Sequence, residues 1–520
     1  MGRDVPAGGI GVTAATFDHV LTAKAAAQPN APALTDAAMS LTYGELDRCV
    51  ETVTAHLRAV GLRPGERAVL VADNSVHHLV TAFGIWRAGA TLVTIYPSST
   101  VDELAYAIGN AEASLVVSGS RILPEVTIAA AGLGVPVLEL GDAGLVGDTE
   151  VRADRPPLDP GAVALICYTS GSTARPKAVM HTHAGLLAAA QSYARVWHLG
   201  EQDTTLVALP LAWAYGLVTT SMATLAAGGR VLLLRRGDPD GMLRAFVEHG
   251  ATFFAGVTTM YVKMVGVLEA SEAQARPRPT DLRLCISGGE PRNDVAFARW
   301  RELTGCPVHD VYAASEAFPL VTYDPDEDPE PVLGSAGRVV DEAELRVIDA
   351  AGADVPPGQP GEAWARSPAQ MVGYWRDPEL TAAVLTGDGW YRTGDLVEVD
   401  QRGYVRVVGR LSDLIIHGGS NVSPAEVEAV LVAHPDVQEA AVVGLPDPDY
   451  GERVVAAVVL APSAGRDPDG LRAHCAASLA GYKVPAEIVS VERLPRNANT
   501  GKVQRRDVAA LLTAASGTVR

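Results

Sequence analysis

The hydrophobic pattern of the first 312 residues alternates between two periods. Short apolar runs such as Arg67–Ala72 and Thr91–Ile95 predict buried strands. The segments between them, such as Ser75–Ala88 and Val101–Asn110, repeat their apolar positions every three or four residues and predict helices. Strands that alternate with helices are typical of a mostly parallel sheet, so this part of the chain is predicted to be α/β.

The pattern changes twice in the remaining sequence. From Gly337 onward, short alternating runs separated by turns predict an antiparallel, β-rich section. After Arg410 a new unit begins, with a helix predicted over Pro424–Ala433 followed by two strands and a further helix. About 110 residues suffice for a separate small α+β domain. We therefore predict a large N-terminal α/β domain with a β-rich subdomain over residues 1–411 and a small α+β domain over residues 412–520.

Composition excludes several classes of function. The formal net charge of −19 argues against nucleic acid or an anionic membrane surface as a partner. No apolar run approaches the length of a membrane-spanning helix. The five cysteines have no metal-ligand spacing, which favours a reducing, cytoplasmic location. Lysine is rare, and three of its five occurrences lie in glycine- or proline-bearing loops: Lys177, Lys483 and Lys502.

The first candidate site is a loop rich in hydroxyl groups between Tyr168 and Lys177. Backbone amides, hydroxyls and a terminal lysine in such a loop suit phosphate groups. The motif of a P-loop is absent, and an ordinary strand-to-helix turn remains the alternative. The residues predicted to bind phosphate are Thr169, Ser170, Gly171, Ser172, Thr173 and Lys177.

Two further loops follow consecutive predicted strands and share one edge of the sheet. In the first, Gly288, Gly289 and Glu290 allow a flat ligand to approach the backbone closely. In the second, Tyr312 offers a stacking face, and Ser315 with Glu316 offers oxygen ligands for Mg²⁺. Downstream, an aspartate and an arginine suit the diol of a ribose, and a tight turn presents a lysine: Asp395, Arg410 and Lys502.

The order and spacing of these motifs resemble the adenylate-forming superfamily, and most of all its benzoate, cyclohexanecarboxylate and fatty-acid CoA ligases. The resemblance extends from about Phe17 to Arg506. It implies ATP-dependent activation of a carboxylic acid to an acyl-adenylate, with Mg²⁺, and transfer of the acyl group to a thiol. The acceptor is expected to be CoA, with the phosphopantetheine of a carrier protein as the alternative.

The resemblance also implies roles for individual residues. Lys502 would bridge the acid and the α-phosphate, Ser315 would contact that phosphate, and Glu316 would bind Mg²⁺. The adenine would be framed by Gly288, Gly289 and Tyr312, and the ribose would be held by Asp395 and Arg410. The small domain would rotate about a hinge near Ser412, a position where relatives carry aspartate or lysine. The thiol acceptor would meet Gly418, Gly419 and Lys483, although Lys483 is equally consistent with a solvated surface lysine.

The acid pocket is predicted from an apolar segment with aromatic residues. Its expected lining comprises Trp213, Ala214, Tyr215, Val257, Val311, Ala313 and Phe318. No acidic residue occurs over residues 204–236, which argues against an α-amino acid and favours an aryl or short- to medium-chain aliphatic acid. Trp213 stands where many relatives have histidine, and it would wall or gate the pocket unless it only packs in the core.

Overall fold

The computed structural model describes residues 15–140, 157–169, 176–270, 278–461, 467–496 and 501–517. Strands and helices are numbered in chain order. The strands are β1 Pro32–Thr35, β2 Ser40–Thr42, β3 Arg67–Val71, β4 Thr91–Thr94, β5 Leu115–Gly119, β6 Val137–Leu140, β7 Val163–Thr169, β8 Lys177–Thr182, β9 Thr204–Val207, β10 Arg230–Leu233, β11 Phe253–Gly256, β12 Leu284–Gly288, β13 Val308–Ala314, β14 Ala317–Thr322, β15 Arg338–Val339, β16 Glu344–Ile348, β17 Gly361–Arg366, β18 Ala369–Gln370, β19 Gly373–Tyr374, β20 Tyr391–Val399, β21 Val405–Arg410, β22 Ile415–His417, β23 Ser420–Val422, β24 Val437–Asp447, β25 Gly451–Leu460 and β26 Glu487–Ser490.

The helices cover the faces of these sheets. They are α1 Phe17–Ala27, α2 Tyr43–Ala59, α3 Val76–Arg87, α4 Val101–Asn110, α5 Leu123–Ala131, α6 His183–Val196, α7 Ala223–Ala227, α8 Pro239–His249, α9 Thr258–Ala270, α10 Asp294–Thr304, α11 Pro378–Val384, α12 Pro424–Val432, α13 Pro468–Ser478 and α14 Arg505–Gly517. Among the described helices, none is both long and apolar enough to cross a membrane.

Two large sheets form the core of the N-terminal part. One has ten strands, in the order β15-β14-β13-β12-β11-β9-β10-β1-β2 with β18 paired to β14. The other has seven strands, in the order β19-β8-β7-β4-β3-β5-β6. The central strands of both sheets pair in parallel, as the alternating pattern predicts.

Helix ends in this part follow ordinary capping chemistry. Thr42 accepts a hydrogen bond from the Glu45 amide at the start of α2, and Glu45 accepts one from the Thr42 amide in return. Thr100 and Glu103 repeat this reciprocal arrangement at the start of α4. Such capping boxes satisfy amide groups that would otherwise lack partners, so local sequence sets where these helices begin.

The remaining strands form two smaller sheets, which are antiparallel except that β26 pairs with β25 in parallel. The order β16-β17-β20-β21 makes up the β-rich section, and β23-β22-β25-β24, with β26 on β25, makes up the C-terminal sheet. Between them lies a single helical turn, Leu411–Asp413. The fold is therefore a large α/β part with a β-rich sheet, followed by a small α+β part, as predicted.

One element departs from the predicted pattern. Residues Tyr215–Met222 form a wide π-type helical stretch that the sequence analysis did not predict. Gly216 lies within it, and a Cβ at that position would come within 2.5 Å of the Pro210 carbonyl oxygen. The close approach fixes the path of the chain just after Trp213, which places that side chain at the site described next.

Candidate active site

The site lies where the parallel strands β12 and β13 end side by side, with Gly288 opposite Val311. A Cβ on Gly288 would lie 2.5 Å from Cγ1 of Val311, so no side chain fits there. Gly289 has a φ of +77°, and a Cβ on it would lie 2.8 Å from the ring of Trp213. These two glycines bring the backbone directly against the aromatic segment that follows β9.

Two aromatic rings form one wall of this crevice. Trp213 and Tyr215 are perpendicular, with centroids 5.4 Å apart, a favourable edge-to-face geometry. The Tyr215 hydroxyl donates to the Gly256 carbonyl at 3.3 Å, one residue before Val257. The other predicted lining residues divide into the buried Ala214, Val257 and Val311, the exposed Ala313, and Phe318, which packs against the His181 ring at 5.0 Å.

The turn between β13 and β14 presents Ser315 and Glu316. The buried Tyr374 hydroxyl donates to Oε1 of Glu316 at 2.8 Å, and Lys177 Nζ lies 5.3 Å from the centre of the same ring. Behind the turn, the buried His181 Nε2 lies 2.8 Å from the Ser315 carbonyl oxygen. A carboxylate is a hard oxygen ligand, and the bond from Tyr374 orients it, so Glu316 fits Mg²⁺.

A buried carboxylate joins the β-rich sheet to the crevice. Asp395 lies opposite Arg410 in the β20–β21 pair, and Arg410 Nε donates to its Oδ1 at 2.7 Å. The Tyr312 hydroxyl donates to Oδ2 at 2.9 Å. Burial raises the pKa of Asp395, whereas Arg410 and Tyr312 stabilise its charged form. The two bonds fix the orientation of the carboxylate beside the Tyr312 ring.

Lys502 extends into this crevice from the C-terminal part of the chain. Its Nζ lies 5.6 Å from the centre of the Trp213 ring. Burial lowers the pKa of Lys502, and the Arg410 guanidinium lowers it further. Three carboxylates act in the opposite direction: Asp395, Glu290 and Glu316. The lysine is thus held in a charged environment at the point where the two parts of the chain meet.

Other predicted residues lie elsewhere or beyond what the structure describes. Ser170, Gly171, Ser172 and Thr173 fall outside the described residues, whereas Thr169 pairs with Lys177 across β7 and β8. Gly418 and Gly419 form the turn between β22 and β23. Lys483 Nζ lies 2.7 Å from both carboxylate oxygens of Glu426. The Lys483 ammonium, which was predicted to meet an acceptor phosphate, is therefore paired with the Glu426 carboxylate in this arrangement.

Sequence reasoning missed three contributors to the site. Tyr374 was not singled out, because it lies in a short apolar and aromatic run, Met371–Trp375, that carries no motif of its own. Arg496 donates to the Gly501 carbonyl at 2.7 Å and so supports the turn that carries Lys502. The contact of His181 with the Ser315 carbonyl oxygen depends on tertiary packing, and no local feature of the sequence predicted it.

The chain matches the AMP-binding enzyme family over residues 21–375 and the AMP-binding enzyme C-terminal domain over residues 426–502. It is 36% identical over 493 residues to a feruloyl-CoA synthase of an Amycolatopsis species, covering 93% of this chain and 96% of the relative. A sulfoacetate–CoA ligase of Cupriavidus necator is 34% identical, with 94% and 96% covered.

Solved structures agree over nearly the full length. ATP-bound MatB from Rhodopseudomonas palustris has a TM-score of 0.87 at 31% identity, covering 96% of this chain and all of that one. The anthranilate CoA ligase AuaEII in complex with anthranoyl-AMP has a TM-score of 0.89 at 26% identity, covering 96% and 98%. An ATP complex and an acyl-adenylate complex are therefore both among the folds that superpose on this chain.

Proposed function

The chain belongs to the AMP-binding enzyme family and is an AMP-forming acid–thiol ligase, and from this we propose that it converts an aryl carboxylic acid, with no charge beyond the reacting carboxylate, to its CoA thioester. ATP, Mg²⁺ and CoA are its cosubstrates and cofactor. The observation that carries the proposal is the position of Lys502, which stands beside the aromatic wall and faces the Asp395–Arg410 pair.

Adenylation requires two anions to meet. A carboxylate oxygen attacks the α-phosphorus of ATP, the new C–O–P linkage forms, and the bond to the β-phosphate breaks to release pyrophosphate. The Lys502 ammonium would neutralise charge on the acid and the α-phosphate, and Lys177 would act on the departing phosphates. Glu316 would hold Mg²⁺, which supplies further charge neutralisation. Asp395 and Tyr312 would orient the nucleoside.

In the second half-reaction, a thiol attacks the acyl carbon of the adenylate. The CoA thiol loses its proton to solvent, its sulfur forms a bond to the acyl carbon, and the C–O bond to the phosphate breaks so that AMP leaves as its anion. We assign residues 1–411 and 412–520 to two domains, with a hinge near Ser412, so that Lys502 departs after adenylation. In support, β21 ends at Arg410, while Asp413 accepts a bond from Arg505 of the C-terminal part. The turn at Gly418 and Gly419 would line the path of the thiol.

The chemistry of the pocket favours an uncharged acid tail. Trp213 and Tyr215 present aromatic faces, and the predicted lining contains no cation that could pair with a second acidic group. Sulfonated or dicarboxylic acids would leave a charge unpaired there. The similarity to a feruloyl-CoA synthase and to an anthranilate CoA ligase also supports an aryl acid. A short- to medium-chain aliphatic acid is the second choice, because the same wall is apolar.

The test is ATP–pyrophosphate exchange with a panel of benzoic, hydroxycinnamic, cycloaliphatic, short aliphatic and dicarboxylic acids, without a thiol. Aryl acids should give the highest kcat/KM. A preference for dicarboxylic or sulfonated acids would overturn the proposed substrate class. For the best acid, CoA, a holo carrier protein and a simple amine are then compared as acceptors by mass spectrometry. Only the CoA product is expected at a substantial rate.

We also place the enzyme in the cytoplasm. All five cysteines are free and buried, which suits a reducing compartment. A fractionation of the native host followed by the exchange assay tests this placement, since activity in a secreted fraction would contradict it.

A further inference from the structure

The Trp213 ring lies between two parts of the site that belong to different ends of the chain. One edge of the ring contacts Gly289 so closely that a Cβ there would be 2.8 Å from Cη2. Its ring centre is 5.6 Å from Lys502 Nζ, which is within the range of a cation–π interaction. The edge of the indole therefore packs against Gly289 at the end of the large sheet, and the Lys502 ammonium lies over the ring.

We propose that Trp213 is a positioning residue for adenylation, which holds the Lys502 ammonium over its ring and so helps to dock the C-terminal part in the arrangement that activates the acid. The inference rests on the proposed role of Lys502 in adenylation. An indole is the strongest aromatic partner for a cation, and the contact is worth most where water is excluded.

A second contact joins the same two parts. Glu290 accepts bonds from the amide and the hydroxyl of Thr259 through Oε2, both at 2.8 Å. Its Oε1 lies 4.0 Å from Nη1 of Arg496, the residue that also donates to the Gly501 carbonyl. The large part thus contacts this segment twice, at Lys502 through Trp213 and at Arg496 through Glu290.

The surrounding charges make this contact sensitive to protonation. Four charged groups of the large part shift the pKa of Lys502: the cation Arg410 lowers it, and the anions Asp395, Glu290 and Glu316 raise it. Arg496 supports the turn from its own side. Because burial disfavours the ammonium form of Lys502, the electron-rich ring face compensates part of that cost.

The contact serves only one half-reaction. When Lys502 leaves the crevice for thioester formation, the Trp213 ring loses its cation. A residue that merely walls the pocket would instead affect the binding of the acid in both half-reactions. The two roles therefore differ in the step that a substitution slows, and in whether kcat or the KM for the acid changes.

The experiment compares Trp213→Leu, Trp213→Phe and wild type in two assays, ATP–pyrophosphate exchange and CoA transfer from synthetic acyl-adenylate. Trp213→Leu should lower kcat of exchange about 30-fold, the equivalent of about 2 kcal/mol, and Trp213→Phe should lose less because a ring face remains. Acyl transfer should stay within about twofold of wild type. The matched control is Trp390→Leu, which removes a tryptophan beneath Arg366 at 4.3 Å, in the β-rich section, and should leave both assays unchanged.

The pH profile supplies a readout that a packing role would not move. Exchange should decline at alkaline pH as Lys502 loses its proton, and Trp213→Leu should bring that decline to lower pH. An unchanged alkaline limb, or equal losses in both half-reactions, would overturn the proposal, as would a rise in the KM for the acid with kcat unaltered. Absence of exchange in wild type with every acid would instead refute the proposed function itself.

Discussion

The hydroxyl of Tyr374 is the group through which two predicted parts of the phosphate site are held together. It donates to Glu316 at 2.8 Å, and its ring lies beneath Lys177. Burial, followed by the charge of Glu316, raises the pKa of Tyr374 well above its ordinary value, so it remains a donor throughout the assay range. Tyr374→Phe removes this bond and the hydrogen bond that the same hydroxyl shares with Tyr391, and it keeps the ring under Lys177.

The expected magnitude follows from the chemistry of that bond. A hydrogen bond to a charged group contributes about 1.5–3 kcal/mol. If the full value is felt when Glu316 holds Mg²⁺ against the phosphates, kcat/KM for MgATP in the exchange assay falls by about 10- to 150-fold. The Mg²⁺ concentration needed for half-maximal rate should rise, while the KM for the acid stays constant. Calorimetric titration with MgATP should show the same loss as weaker binding.

A matched substitution separates this role from simple stability. The Tyr404 hydroxyl also donates to a carboxylate, that of Asp328 at 2.5 Å, but on the β-rich sheet. Tyr404→Phe should lower the thermal midpoint and leave the Mg²⁺ dependence alone. If Tyr374→Phe keeps both its MgATP affinity and its Mg²⁺ dependence within twofold of wild type, Tyr374 does not position Glu316.

Three further predictions concern other parts of the molecule. Lys502→Ala should abolish pyrophosphate exchange and spare CoA transfer from synthetic acyl-adenylate; wild-type exchange would contradict its role. Tyr450 presents a half-exposed ring stacked on His417 at 4.6 Å beside Gly418, where it can stack on the CoA base. Tyr450→Ala should therefore raise the KM for CoA about fivefold or more. An unchanged KM would contradict this role. Burial lowers the pKa of His181 to about 4, so the unfolded state binds more protons below pH 6.5, and stability should fall by up to about 1.4 kcal/mol per pH unit for this residue. Urea unfolding from pH 7 to pH 5 measures the slope, which His181→Gln should flatten.

Much of the scaffold follows from local sequence. The helix predicted over Val101–Asn110 has those bounds in the structure, and the strand predicted at Arg67–Ala72 ends one residue earlier. Periodicity and capping are local properties, so they can be read without the fold. The π-type stretch at Tyr215–Met222 could not be read this way, because its apolar residues have no clear period and its path depends on contact with Pro210.

The candidate site shows the same division. Motifs identified Glu316, Asp395 and Lys502 because their residue types and order carry chemical meaning. The partners that orient them come from distant segments: Tyr374 lies 58 residues from Glu316, and His181 lies 134 residues from Ser315. The ion pair between Lys483 and Glu426 likewise arises only when α12, which carries Glu426, packs against the turn that carries Lys483. Sequence thus indicates the candidate functional groups, whereas folding determines which groups restrain them.

The segment Ala369–Tyr374 belongs to both large sheets at once. Ala369–Gln370 pairs with β14 of the ten-stranded sheet, and Gly373–Tyr374 pairs with β8 of the seven-stranded sheet. Six residues reach at most about 20 Å even when fully extended. This short strap therefore limits how far the two sheets can separate, and with them Glu316 and Lys177. We therefore expect the large part to behave as one rigid body, so that the proposed rotation would move the small C-terminal part alone.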